Sequence, residues 1–135
     1  MSSTTDPRSV AHAVFEAADV QDLDALRIHP GLYGTVQYIP ALCAAFPDLR
    51  HTIDQQFVAG DVVTTIATAQ GTQRGVLLGV PPTGKEVTFL VISVDKVVDG
   101  RIVLHYGLPD WLAMLGAIGA LETLARGDQH AAARR

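Results

Sequence analysis

Asp99-Gly100-Arg101-Ile102-Val103-Leu104-His105-Tyr106-Gly107-Leu108-Pro109-Asp110-Trp111 is the stretch that decides how this chain folds. Asp99-Gly100 is a two-residue hairpin signal, because both positions tolerate positive φ. It joins two apolar runs, one over 87–98 and one over 101–108. Pro109 stops the second run, and Asp110 then offers a side chain that can cap a helix beginning at Trp111. The stretch therefore predicts strand, tight turn, strand, helix. It also sets His105 near a strand end and Asp110 at a helix start, two groups able to move protons.

Working outward, Gly79-Val80-Pro81-Pro82-Thr83-Gly84-Lys85 belongs to a loop over 75–84. Upstream of it the residues over 62–73 are rich in Val, Ile and Thr, with Val63, Thr65, Ala67, Ala69 and Gln73 as the inward set. Gly60-Asp61 is a second hairpin turn. Before it, Leu49, His51, Ile53, Gln55 and Phe57 alternate with polar residues, which predicts a strand that turns His51 inward together with Phe57. The run over 87–98 shows little alternation, so both of its faces are expected to be covered.

The period changes at Pro47. Upstream, Asp6-Pro7 starts a helix whose apolar positions are Val10, Val14, Phe15 and Ala18. Asp22 caps a second, short helix over 23–28. A third is expected over 36–46, with Pro40 either in its first turn or kinking it. The final helix is expected to run from Trp111 across Gly116 and Gly119 towards 125. These elements make an α+β fold: a cone-shaped, curled, mainly antiparallel sheet with three N-terminal helices and a C-terminal helix. One domain is expected over 1–127, with a disordered tail over 128–135.

Composition narrows the function. With 10 Lys and Arg against 14 Asp and Glu among 135 residues, the net charge of −4 disfavours a nucleic-acid surface. No apolar run is long enough to span a bilayer, and the polar N-terminus has no signal-peptide character, so the expected address is the cytoplasm of a bacterium. The single Cys43 reads as inert packing. Histidines 12, 29, 51, 105 and 130 show no metal-ligand spacing, and the Gly-rich loop lacks a Gly-Lys-Ser/Thr ending. Neither a metal nor a nucleotide cofactor is expected.

Taken together, Phe46-Pro47-Asp48-Leu49, the Gly79–Lys85 turn, and Asp99-Gly100-Arg101-Ile102-Val103 leading to His105 and Asp110 resemble the SnoaL-like polyketide cyclases, of the nuclear-transport-factor-2-like superfamily. The resemblance covers 41–121 well. It implies a cofactor-independent cyclase or isomerase that acts on a polyketide-like or related secondary metabolite by acid–base catalysis in an apolar pocket. On the same resemblance Asp110 is the principal acid–base group and His105 assists it. The same groups could open an epoxide, and a non-catalytic module that binds a small ligand or a partner is the rival from another class. This chain departs from the family pattern at Leu104, where a Glu is usual, at Gln73, where His is common, and in the compact connection over 29–35.

Each candidate also has a plainer reading. Asp110 can simply cap the last helix, and His105 and His51 can be hydrogen-bonded core histidines. Gln73 could donate to a substrate carbonyl or lie at an exposed strand end. Tyr38, Phe89, Tyr106 and Trp111 could line a pocket for a flat hydrophobic substrate or be ordinary core. Val62, Thr64, Ile66 and Thr68 face outward in this register, so a homodimer through the outer sheet face is expected.

Overall fold

A computed structural model describes residues 6–122. Helix α1 spans Pro7–Asp19, α2 Leu23–Arg27 and α3 Tyr33–Ala45, with a 3-10 turn at Pro30–Leu32. Strands β1 (Arg50–Ala59), β2 (Val62–Thr72), β3 (Glu86–Val98) and β4 (Arg101–Pro109) follow, and α4 (Trp111–Ala117) comes after them. The sheet order is β1-β2-β3-β4 and every pairing is antiparallel. The α+β class, the curled antiparallel sheet and the helical cover are those read from the sequence. The expected tail over 128–135 lies outside the described residues.

Local chemistry explains the boundaries. The Asp6 carboxylate accepts the Arg8 N–H at 3.0 Å and Pro7 stands at the first helical position. Asp22 accepts the Ala25 N–H at 3.2 Å to start α2. Helix α3 begins at Tyr33, three residues earlier than the sequence suggests, because the 3-10 turn leads straight into it. Pro40 therefore falls inside α3 and is exposed there. Helix α4 ends at Ala117 and Gly119 follows with φ +76°. That left-handed residue interrupts the helix, as glycine commonly does, and helical residues resume over 120–122, so the expected run is broken rather than continuous.

The inner sheet face and the helices share one core. Val63, Thr65, Ala67 and Ala69 of β2 are buried, as are Val87, Phe89, Val91, Ser93, Asp95 and Val97 of β3. Val10 and Ala11 of α1, Ile39 and Cys43 of α3, Phe46, Leu49, Ile102 and Met114 close over them. Two expectations about faces need correction. Strand β3 alternates after all, with Thr88, Leu90, Lys96 and Val98 exposed. Strand β1 does not keep one parity. A bulge between Ile53 and Gln55 inserts one residue, so His51 and Ile53 face inward while Phe57 turns out and is 57% exposed.

A second bulge shapes β4. Val97 pairs with Ile102 but Lys96 pairs with Leu104, which leaves Val103 as the extra residue. Beside it the 3-10 turn presses on the β4 backbone. A Cβ on Gly31 would lie 2.8 Å from the Leu104 nitrogen, so only glycine allows this approach. The Ile102 N–H donates to His29 Nδ1 at 2.9 Å, tying the same turn to the strand.

Candidate functional site

Between α1, α3 and the inner sheet face lies a cleft of about 730 Å³ including its open mouth. The cleft is a narrow slot between the helices and the sheet. Its wall is apolar, built from Val14, Phe15, Leu32, Ile39, Leu42, Leu49, Phe89 and Val91 among others. Against this wall stand a few polar groups: Tyr38, His51, Ser93, Asp95 and His105.

The polar groups form two carboxylate–imidazole pairs. On the sheet, Asp95 and His105 are direct cross-strand partners on β3 and β4. His105 Nδ1 lies 2.5 Å from Asp95 Oδ1, and the two side chains are 16% and 3% exposed. The other pair joins helix to edge strand. Asp19, the last residue of α1, accepts the His51 backbone N–H on Oδ2 at 2.8 Å, and its Oδ1 lies 2.6 Å from His51 Nδ1. The His51 ring also packs on Phe15, with centroids 5.1 Å apart. A carboxylate on Nδ1 favours the tautomer with the proton there, which leaves Nε2 as the basic nitrogen. Each pair thus holds one imidazole in a fixed pose on the slot.

Gly107 gives His105 room. A Cβ at that position would lie 2.8 Å from His105 Nε2 and 3.3 Å from Cε1, so the imidazole edge lies over the glycine. Tyr38 stands in the same lining; burial is the main cause that pushes its phenol above its usual range, against a hydrogen bond with Thr35. Cys43 also faces the slot. Burial first, and then the nearby Asp19 charge, hold its thiol above the usual range, so it stays protonated and unreactive. Among the described residues no group of three or more His, Cys, Asp and Glu is placed to hold a metal ion, and no helix is long and apolar enough to cross a membrane.

His105, His51, Tyr38 and Phe89 line the slot together. Asp110 does not: it is exposed, and its carboxylate accepts the Ala113 N–H at 3.0 Å as the N-cap of α4. Tyr106 is 64% exposed on the outer face, where it pairs with Val94, and Trp111 is 38% exposed. Gln73 is completely buried, but in the β2–β3 loop. Its Nε2 faces the carbonyls of Gly75, Val80 and Pro81 at 3.2 Å each, and its Oε1 accepts the Thr83 N–H at 3.2 Å and the Thr83 hydroxyl at 2.7 Å. Asp19, Ser93 and Asp95 belong to the site and were not singled out in the sequence. Asp95 carried one usable signal, an acidic residue at a buried position directly after the uncharged run from Val87 to Val94.

A family model for the SnoaL-like polyketide cyclases matches residues 2–118. The chain belongs to that family. Among solved structures, this SnoaL-like protein is similar to IdmH of Streptomyces antibioticus, a candidate polyketide cyclase. The two are 28% identical, with 85% of this chain and 99% of IdmH covered and a TM-score of 0.76. A candidate SnoaL-like polyketide cyclase from Jannaschia sp. CCS1 is 24% identical over 89% of this chain and 99% of its own, with a TM-score of 0.75. AclR of Streptomyces galilaeus, a candidate hydroxylase, is 23% identical over 84% and 85%, with a TM-score of 0.77. At the last two identities the likeness is one of fold. No curated protein matches the chain.

Proposed function

We propose that this SnoaL-like protein is an acid–base enzyme for a flat, largely apolar carbonyl compound of the polyketide class, which it cyclises or isomerises without a metal or cofactor. The observation that carries the reading is the pair of carboxylate-held imidazoles in one apolar slot. His105, held by Asp95, is the base. Its Nε2 removes a proton from carbon next to the carbonyl, and the electron pair moves onto the carbonyl oxygen. The resulting enolate carbon attacks a second electrophilic carbon of the same molecule, and the oxygen that gains charge takes a proton. His51, held by Asp19, is placed to supply or accept that second proton. In isomerisation the proton returns to a different carbon and no new ring forms.

Three features support this division of labour. Each Asp can stabilise the imidazolium formed on its histidine during proton transfer. The dry wall strengthens that electrostatic effect. The narrowness of the slot favours a thin molecule held in one orientation, where proximity contributes to the rate. Asp110, the leading acid–base candidate in the sequence, acts in this reading as the cap of α4 rather than as the proton donor.

The protein is proposed to work as a homodimer through the outer sheet face. Phe57, Ile66, Ile92, Val94, Tyr106 and Leu108 follow one another across the four strands on that face, in the register that pairs Thr64 with Val94 and Ile66 with Ile92.

The test of the catalytic reading is hydrogen–deuterium exchange. 2-Tetralone, a small flat ketone, is followed by proton NMR in deuterated buffer with and without protein. Catalysed exchange is expected to fall by about 10²–10⁴ in His105→Gln, and by less in His51→Gln. Exchange at the wild-type rate in both variants would sink the assignment.

A further inference from the structure

We propose that Ser93, beside the His105 imidazole that covers Gly107, forms a subsite for one oxygen atom of the bound molecule: a carbonyl or phenol oxygen that accepts the Ser93 hydroxyl proton. This rests on the slot being a small-molecule site, and it does not depend on His105 being the base.

Three observations converge on this patch. First, Ser93 is 2% exposed and lines the slot, and its Oγ is the one buried side-chain polar atom among the described residues without a hydrogen-bond partner. Its neighbours on the inner face are all satisfied. Thr65, its partner on β2, accepts from Gln56 Nε2 at 3.1 Å. Asp95, two residues along β3, holds His105. His29 takes the Ile102 N–H. Second, the residue opposite Ser93 on β4 is Gly107, which has no side chain to meet the hydroxyl. Third, the His105 edge overlies that same glycine, as the 2.8 Å approach of a built Cβ to Nε2 shows. Ser93 and the imidazole that covers its cross-strand partner are therefore neighbours on the slot lining.

A buried hydroxyl with no partner costs stability that an alanine would not. Buried polar groups in folded proteins are otherwise almost always bonded. A ligand oxygen reaching Ser93 from the slot would satisfy the hydroxyl. A carbonyl oxygen there would be polarised by the O–H, and its adjacent carbon would lie on the side of Nε2. Ser93 would then orient the substrate and select for oxygen at this point.

The experiment compares 2-tetralone with tetralin, the same skeleton without oxygen. Binding is measured by NMR titration, and the carbonyl stretch of bound 2-tetralone by infrared difference spectroscopy. Wild-type protein is expected to lower the carbonyl frequency relative to water-free solvent. Ser93→Ala should lose that shift and bind 2-tetralone about tenfold more weakly, with tetralin unaffected. In the ligand-free protein, Ser93→Ala should have a urea midpoint at or above that of wild type. The proposal is overturned if Ser93→Ala keeps the carbonyl shift, if wild type binds tetralin as tightly as 2-tetralone, or if the alanine variant has a lower midpoint, which would reveal a structural partner. His105→Gln separates this from the catalytic reading: the carbonyl shift should survive in it while exchange is lost.

Discussion

Replacing Gln73 with leucine tests whether this position serves the ligand or the scaffold. The side chain is fully buried and makes five contacts within the loop that joins β2 to β3. An amide has two N–H donors, so the three carbonyls at 3.2 Å share two hydrogen bonds, and Oε1 accepts two more. Four bonds at about 1 kcal/mol net each set an upper figure of about 4 kcal/mol. Two corrections lower it. The Val80 carbonyl keeps a second partner in the Leu77 N–H at 3.1 Å, and the Thr83 groups are close enough to solvent to rehydrate. Gln73→Leu is therefore expected to cost about 3 kcal/mol. Gln73→Glu should cost at least as much despite its better shape, because a carboxylate cannot donate to the three carbonyls. The assay is urea unfolding at pH 7 with the slope m held as a control. 2-Tetralone binding to the folded Leu variant should match wild type, since Gln73 lies outside the slot. A loss below about 1 kcal/mol would refute the accounting. Weakened binding by a fully folded variant would return Gln73 to the substrate.

Four further outcomes follow from the structure. Asp110→Ala should lose about 1 kcal/mol of stability with its cap and leave tetralone exchange unchanged; a loss of exchange in the well-folded variant would restore Asp110 as the acid–base group. Gly75→Ala places a Cβ 2.3 Å from the Ala44 carbonyl oxygen, so it should cost about 3 kcal/mol or more in urea unfolding. Burial is the main cause holding the His29 imidazole below its ordinary value, with the Asp95 charge opposing and Arg101 adding to it. The unfolded chain therefore binds this proton at a higher pH than the folded one, and the neutral His29 loses its stabilising advantage as pH falls below about 6.5. Measured against His29→Asn, whose amide oxygen can still accept the Ile102 N–H, wild type should lose relative stability between pH 7.5 and 5.5; a constant difference would contradict this. Leu108→Lys on the outer sheet face should turn a dimer into a monomer by light scattering, and a monomeric wild type at micromolar concentration would remove the dimer proposal.

Much of the fold was legible because short signals acted alone. Asp99 and Gly100 both adopt positive φ, as a two-residue hairpin needs, and Asp6-Pro7, Asp22 and Asp110 each start the helix they announce. The inward set on β2 followed from alternation. What stayed hidden depended on two bulges. In an unbroken hairpin around Asp99-Gly100, Asp95 would face Leu104, and His105 would share the outer face with Val94. The extra residue at Val103 moves His105 opposite Asp95 and turns it inward. The bulge after Ile53 likewise keeps His51 inward while it expels Phe57. Asp19 carried no signal of its role, because its partner lies 32 residues away and only the docking of α1 on β1 brings them together. Local pattern has no access to such pairings.

The two imidazoles are held by different kinds of structure, and this gives them different roles when a ligand arrives. Asp95–His105 lies within the hydrogen-bonded sheet, beside the unbroken β2–β3 register from Val62↔Lys96 to Thr72↔Glu86. Asp19–His51 bridges the end of a helix and an edge strand. Apart from that pair, α1 is joined to β1 by the Gln56 amide on the Arg8 carbonyl at 3.3 Å. Of the two walls of the slot, the sheet is the stiffer, because its movement would break ladder hydrogen bonds. The helical wall is held to the sheet mainly by apolar packing, which tolerates a small slide at lower cost. A ligand that widens the slot is therefore expected to displace Asp19 before Asp95. In the proposed reaction His105 would then keep its pose, as the proposed base must. His51 would regain its carboxylate only once α1 closes over the ligand, which would tie the proposed second proton step to a filled slot.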